Sequence, residues 1–248
     1  MFEFMMPNKI KRLSAAEHYF ACLMLFCLKS PMSFKRWLTL PPKFRHIQKF
    51  IGNQPFRLLD IGAGNHSASK TKQWFANCEY HGVDLDKNYN NDEQDFKAMH
   101  AFYEMNLEAL NFDAIPDNYF DFIMMAHVVE HLKNGDLVIE KLFKKLRTGG
   151  MIYMEFPGYR STQFPRMEGT LNFYDDPTHV RIYSVAELMN LCLRNGMEVV
   201  EGGTRRHFQN LLLMPFKIPH NLLVYRKIVP SIFWDFFGFA EFVLARRM

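Results

Sequence analysis

Cysteine is scarce: the 248 residues hold four, Cys22, Cys27, Cys78 and Cys192. No two form a C-x-x-C pair, so neither a thiolate metal site nor a disulfide framework is predicted, and a reduced, cytoplasmic protein is expected. Long apolar runs are missing as well. Near the start only the ten residues Tyr19–Leu28 run without charge, too few to span a bilayer. No small-residue cleavage site follows before Lys29, which argues against a secretory signal. There is no internal repeat and no low-complexity linker.

Charge of one sign is locally short. Residues 1–50 carry nine Lys/Arg against two Asp/Glu, residues 51–204 fourteen against twenty-two, and residues 205–248 seven against two. A nucleic-acid enzyme carries its basic surface at the active site, so this acidic middle between basic, aromatic ends predicts no nucleic-acid partner. The basic flanks fit contact with an anionic surface or simple solubility.

What is present is a globular composition, 48% hydrophobic and 23% charged, with 16 Met and 25 Phe. That leaves apolar surface for a ligand, a partner or lipid. Ser14 and Glu17 form an S-x-x-E capping box. Ala16, Tyr19, Phe20, Leu23, Met24 and Cys27 follow on one helical face. This predicts an amphipathic helix in an N-terminal extension, residues 1–50, packed on the domain; contact with a membrane or with a second copy in a homodimer stays open.

From residue 51 strands and helices alternate. "FRLLDIG" is a short, continuous apolar run ending in a turn, as in a buried parallel strand. "SKTKQWFANC" reads as a helix and "YHGVDLD" as a second strand. A helical stretch and a short strand near Tyr103–Asn106 follow, then a strand over Phe120–Met125 and a helix start. "VIEKLFKKLRTGG" reads as a helix stopped by Gly149-Gly150, and "MIYMEFP" as the next strand. Ser184 and Glu187 cap a helix closed by Asn195-Gly196, and "MEVVEGG" and "GFAEFVLARR" read as the last strands. The alternation predicts a doubly wound α/β sheet.

In such a sheet the ligand sits at the carboxyl ends of the strands, here at the turn after Ile61. Gly62 and Gly64 allow close approach. The third position of a dinucleotide G-x-G-x-x-G holds Ser67, which weakens a pyrophosphate-binding reading. Asp84 ends the second strand, where a carboxylate can accept both ribose hydroxyls. Taken in order, "LLDIGAG", "GVDLD", "IPDNYFDFIMMAHVVEHL" and "LRTGGMIYMEFP" resemble the successive motifs of the class I S-adenosylmethionine-dependent methyltransferases, over residues 55–204 and the last strand.

The resemblance implies a Rossmann-like, mostly parallel seven-stranded sheet with an antiparallel C-terminal strand, and S-adenosyl-L-methionine as cofactor. Carried over by position, Gly62 and Gly64 approach the methionine end, with Asp60 nearby. Asp84 holds the ribose. Asn106 and Leu107 frame the adenine, Asn106 standing where Asp is more usual. Ala126 and His127 line the sulfonium side. "DDPTHVRIYSVAEL" resembles a segment of small-molecule methyltransferases, including bacterial ones associated with surface polysaccharides. The stretch before it is too long for an ordinary connection. Residues 158–183 are therefore expected to form a lid that offers Tyr159, Arg160, Arg166, Asn172 and Tyr174 to a hydroxylated substrate.

Methyl transfer to oxygen gains from a base, and His179 and His131 are the candidates. His127, Glu130 and His131 stand at i, i+3 and i+4, the spacing of one helix face, and with His179 they could bind a divalent metal. Ubiquinone-pathway O-methyltransferases and small-RNA terminal methyltransferases carry a similar Glu-x-x-Glu-His. Here His127 replaces the first Glu, and no metal site is assigned. The expected activity is O-methylation of a sugar or other hydroxylated small molecule, lipid-linked in one version. The alternatives are a quinone-type aromatic O-methyltransferase and a non-catalytic cofactor-binding protein.

The last expectation concerns an insertion, residues 205–236, within the domain at 51–248. Pro215, Pro219 and Pro230 break it, so no transmembrane helix is expected. Two readings stay open. It caps the acceptor pocket, or it forms a peripheral membrane surface at the inner face, with Arg205, Arg206, Lys217, Arg226 and Lys227 meeting anionic headgroups.

Overall fold

The apolar run Phe56–Ile61 becomes strand β1, buried at five of its six residues. It pairs in parallel with β2 (Cys78–Asp84) on one side and β4 (Phe120–Ala126) on the other. Around it, β3 (Ala101–Glu104), β5 (Leu146–Pro157), β6 (Met197–Thr204) and β7 (Ala240–Arg247) complete one sheet in the order β3-β2-β1-β4-β5-β7-β6. Only β7 is reversed, running antiparallel between β5 and β6. The doubly wound, seven-stranded sheet expected from the sequence is present. Its order reverses between β1 and β4, so the crevice at their carboxyl ends is where a ligand belongs.

The computed structural model describes residues 39–248. The helix expected around Ser14–Cys27 lies outside them. From Pro42 the chain is one compact unit. It holds helices α1 (Arg45–Phe50), α2 (Ser67–Trp74), α3 (Glu93–Ala98), α4 (Gly135–Lys145), α5 (Val185–Arg194), α6 (Phe208–Tyr225) and α7 (Ser231–Phe237). Helix α4 buries Val138, Ile139, Leu142 and Phe143 into the main core. Helix α5 starts where the capping residue predicts, with the Glu187 N–H donating to Ser184 Oγ. Cys78 and Cys192 are free and buried, and burial pushes both thiols up to about 12.

Four local expectations are corrected. Strand β3 ends at Glu104, two residues before the expected end. Helix α4 ends at Lys145, whose ammonium donates to the carbonyls of Phe112 and Ile115, and the Gly149-Gly150 pair falls inside β5. His127, Glu130 and His131 do not share a helix face. His127 has φ +56°, in the left-handed region, and only a 3₁₀ turn, Val129–His131, follows. Pro215 and Pro219 do not break residues 205–236 either, because α6 runs through both; the break falls after Tyr225, and Pro230 caps α7. Its polar side is held partly from elsewhere: Asn210 donates to Asp235 of α7 and Asn221 accepts from the Val229 N–H, while Lys217 donates to Asn210 within the helix. No helix among the described residues is long and apolar enough to cross a membrane.

Candidate active site

At the end of β1 the chain turns sharply through Gly62, with φ +81°. A Cβ on Gly62 would lie 2.6 Å from Val128 Cγ2, and one on Gly64 would lie 2.6 Å from the Tyr89 ring and 2.9 Å from its carbonyl. Both glycines are therefore required by close approach. Five of the turn's amides are already paired. Gly62 and Ala63 donate to the Val83 carbonyl, Asn65 to that of Tyr89, His66 to that of Asn90 and Ser67 to that of Gly64. A pyrophosphate cradle needs such N–H groups aimed at the ligand, so this turn suits a ligand without phosphates.

Asp60 lies beneath the turn, fully buried, accepting from Ser67 Oγ at 2.5 Å and from the Tyr80 hydroxyl at 2.7 Å. Burial pushes its carboxyl up, against the pull of Lys43 and the two hydroxyls. It ties the turn to β2, and so acts as a positioning residue. Asp84 ends β2 with one oxygen accepting from the Leu85 N–H at 2.7 Å. Its other oxygen lies 3.4 Å from the Cβ position of Gly64, so turn and carboxylate face one crevice. Asn106 caps a short 3₁₀ turn through the Glu108 N–H, and Leu107 is buried behind it. Tyr89, which sequence reasoning missed, sits on Gly64.

Ala126 ends β4, and His127 opens the next part of the site. His127 Nε2 is 3.0 Å from Glu155 and Nδ1 is 3.2 Å from Glu130. Both carboxylates are buried. Burial works against a charge on this ring, but the two hydrogen bonds outweigh it and push the imidazole up to about 9. Both nitrogens then donate, and His127 is a cation. Glu155 also accepts from Tyr153 and from Arg205, at 2.5 Å and 2.9 Å. Burial raises its carboxyl, yet Arg205 and His127 bring it down to about 2. Arg205 reaches Asp235 of α7 at 3.5 Å. Its guanidinium is therefore spent inside the protein, which removes it from the set expected at a membrane surface. Lys217 is partly buried and bonded to Asn210.

Beyond Glu130 lies the histidine pair, with ring centroids 4.8 Å apart. His179 Nδ1 is 2.7 Å from the Phe173 carbonyl, which can only accept, so Nε2 carries the lone pair. Thr178 spends its one hydroxyl proton on Asp176, so His131 Nδ1 donates to Thr178 Oγ1 at 2.8 Å, which leaves Nε2 outside that chain. One ligand atom from each of Glu130, His131 and His179 lies within 4.8 Å of the others. Glu130 is only 1% exposed, and its Oε2 has no hydrogen-bond partner. In the lid segment Asn172 is also spent internally, accepting from Tyr174 and donating to Thr162 and Phe164, whereas Tyr159 and Tyr174 are exposed. A shallow cavity lined by Phe56, Asp121 and Arg147 lies at the amino ends of β1 and β4, away from all of these groups.

A family model described as a methyltransferase domain matches residues 34–202. The chain belongs to this methyltransferase family. The resemblance read from the sequence to the class I S-adenosylmethionine-dependent enzymes is borne out, and the cofactor expectation with it. No curated protein sequence matches the chain. Solved structures share the methyltransferase fold at low identity. An S-adenosylmethionine-dependent methyltransferase from Archaeoglobus fulgidus is 18% identical, with TM-score 0.52, over 91% of this chain and 99% of that one. One from Mesorhizobium loti is 13% identical, with TM-score 0.57, over 85% and 100%. Phosphoethanolamine N-methyltransferase 2 of Haemonchus contortus, solved with phosphomonomethylethanolamine and S-adenosylhomocysteine, is 16% identical, with TM-score 0.59, over 86% of this chain and 56% of that one.

The His127 cation makes this methyltransferase sensitive to alkali. Its folded pKa, about 9, stands above the ordinary 6.5. The stability it contributes is therefore fully present below pH 6.5 and lost as pH rises through about 9. Urea denaturation should show stability falling across that window by up to about 1.4 kcal/mol per pH unit, and His127→Gln should flatten the slope. An equal slope in the variant would remove His127 as its source.

Proposed function

We propose that this methyltransferase transfers the methyl group of S-adenosyl-L-methionine to an oxygen of a hydroxylated small molecule of sugar-like polarity. The observation that carries the reading is the acceptor-side cluster. Two imidazoles whose Nδ1 atoms are taken by hydrogen bonds stand beside Glu130, a buried carboxylate with one unpartnered oxygen. An alcohol must lose its proton as the O–C bond forms, and a neutral imidazole takes it near neutral pH. Quinone-type acceptors would favour an apolar lining; the lid instead exposes Tyr159, Arg160, Arg166 and Tyr174.

When bound, the cofactor supplies a methyl group already activated on a sulfonium. The protein's part is positioning and proton transfer. Gly62 and Gly64 admit the methionine end to the turn that Asp60 holds. Asp84 accepts from the ribose hydroxyls, Asn106 and Leu107 border the adenine, and Ala126 and His127 border the sulfonium. His179 accepts the acceptor's hydroxyl proton at Nε2, while the Phe173 carbonyl keeps Nδ1–H fixed. Asp176, 3.9 Å away, stabilises the imidazolium that results. His131 is the second base. The lid over residues 158–183 encloses the acceptor.

The unpartnered Glu130 oxygen also favours a second reading, in which Glu130, His131 and His179 hold a divalent cation that polarises the acceptor oxygen. Two imidazoles and a carboxylate suit such an ion. His127 does not join them, because both its nitrogens donate to glutamates.

Asp84→Ala should weaken S-adenosylmethionine binding in calorimetry by about 1–3 kcal/mol, since the ribose hydroxyls lose their acceptor. Unchanged affinity would sink the cofactor assignment at that residue. His179→Ala should cut kcat by about 10²–10⁴-fold while cofactor affinity holds; near-normal turnover would return His179 to a packing role. Mn²⁺ titration tests the second reading: heat of binding that disappears in Glu130→Gln supports a cation, and no heat in the wild type rejects it.

A further inference from the structure

Helix α6 is amphipathic the wrong way round for a helix packed on a protein body. Its polar residues face inward. Gln209 and Asn221 are buried, Arg45 donates to Gln209, and Asn210 and Lys217 are hydrogen-bonded on the same side. Leu211, Leu213, Met214 and Ile218 are half-buried, while the larger part of its apolar surface faces outward. Phe208, Leu212, Phe216 and Leu223 fall on one stripe, with Phe216 72% and Leu223 84% exposed. Pro215 and Pro219 are exposed as well. An exposed stripe of large apolar side chains marks a docking surface.

The charge around the stripe selects the occupant. Residues 205–234 contain five Lys/Arg and no Asp or Glu. Arg205 and Lys217 are engaged inside, which leaves Arg206 just before α6 and Arg226 and Lys227 just after it, all exposed. Lys227 meets Glu168, itself on the surface, at 3.2 Å. An apolar stripe about 27 Å long with cations at both ends fits a bilayer surface carrying anionic headgroups. A second copy fits poorly. Two-fold pairing along the stripe would set Arg206 against Arg226 and Lys227, or each against itself, with no carboxylate on α6 to offset the repulsion.

We propose that α6 is a monotopic anchor that docks this protein onto anionic lipid, with Phe208, Leu212, Phe216 and Leu223 in the interface and Arg206, Arg226 and Lys227 at the headgroups. The anchor is coupled to the site. Arg205, three residues before α6, pairs with Glu155, which holds His127. Trp234 of α7 packs on His127 with ring centroids 5.1 Å apart, and its indole N–H donates to Thr170 in the lid segment.

Co-sedimentation of the full chain with vesicles tests the proposal, using equimolar phosphatidylcholine and phosphatidylglycerol against phosphatidylcholine alone. The anionic vesicles should bind it, the neutral ones much less, and added salt should weaken the binding several-fold. The double substitution Phe216→Asp with Leu223→Asp should weaken it at least tenfold, about the effect of losing one buried apolar side chain from the interface. Its melting midpoint should stay put, because both side chains face outward. Arg226→Glu should reduce binding to anionic vesicles alone. Absence of binding to anionic vesicles at low salt overturns the proposal, and so does undiminished binding of the double variant. A lipid-indifferent dimer in light scattering that the double variant splits into monomers overturns it in favour of self-association.

Discussion

A row of buried charges holds the carboxyl end of the sheet together. It runs from Glu130 through His127, Glu155 and Arg205 to Asp235. These residues come from the 3₁₀ turn, the end of β4, strand β5, the segment before α6, and α7. Each charge is compensated on at least one side, and the row alternates in sign. Truncating one member of such a row leaves a neighbour buried and unpaired, a loss typically of about 3–5 kcal/mol. What the row contributes is position. It fixes His127 in its left-handed turn, fastens the α6–α7 insertion to the sheet, and engages one oxygen of Glu130 while the other has no partner.

The two halves of the site are built by different means. On the cofactor side the work falls to backbone geometry, with glycines that leave no room for a Cβ and a carboxylate beneath the turn. Asn65 and His66 both take positive φ there, where a glycine would be easier, and hydrogen bonds from their amides to the β2–α3 loop hold them in it. At the His131–His179 pair the work falls to neighbours that orient each ring, the Phe173 carbonyl at His179 and Thr178 at His131. The fold by itself selects no acceptor atom, since a nitrogen methyltransferase shares it. The chemistry at His131 and His179 is what favours oxygen.

Much of this was legible in the sequence because it is local. The run before Asp60, the glycine turn, Asp84 at its strand end and the Ser184 cap each carry their signal within a few residues. Long-range pairing carries none. Nothing near Arg205 announces that Glu155, fifty positions earlier, and Asp235, thirty later, will claim it, and a basic residue in an apolar stretch reads as a headgroup contact. The spacing of His127, Glu130 and His131 reads as one helix face, but the turn at His127 sends the first of the three the other way. Proline misled for a related reason. The rule that it ends a helix weighs local backbone bonds, whereas α6 is held by Gln209, Asn210 and Asn221 through Arg45, Asp235 and Val229.

The place of β7 in the sheet bears on how the protein can be made. Strands β5 and β6 never touch; β7 lies between them and pairs with both. Yet β7 follows β6 in the chain only after the whole α6–α7 segment. During synthesis the ribosome releases β5, buried along most of its length, and β6 as two open edges, and neither can be sealed until residues 240–247 have emerged. Exposed edges of this kind invite mispairing. The nascent chain must wait through the emergence of an apolar, basic segment before the sheet can close, so the order of the strands makes closure a late and undivided step of folding.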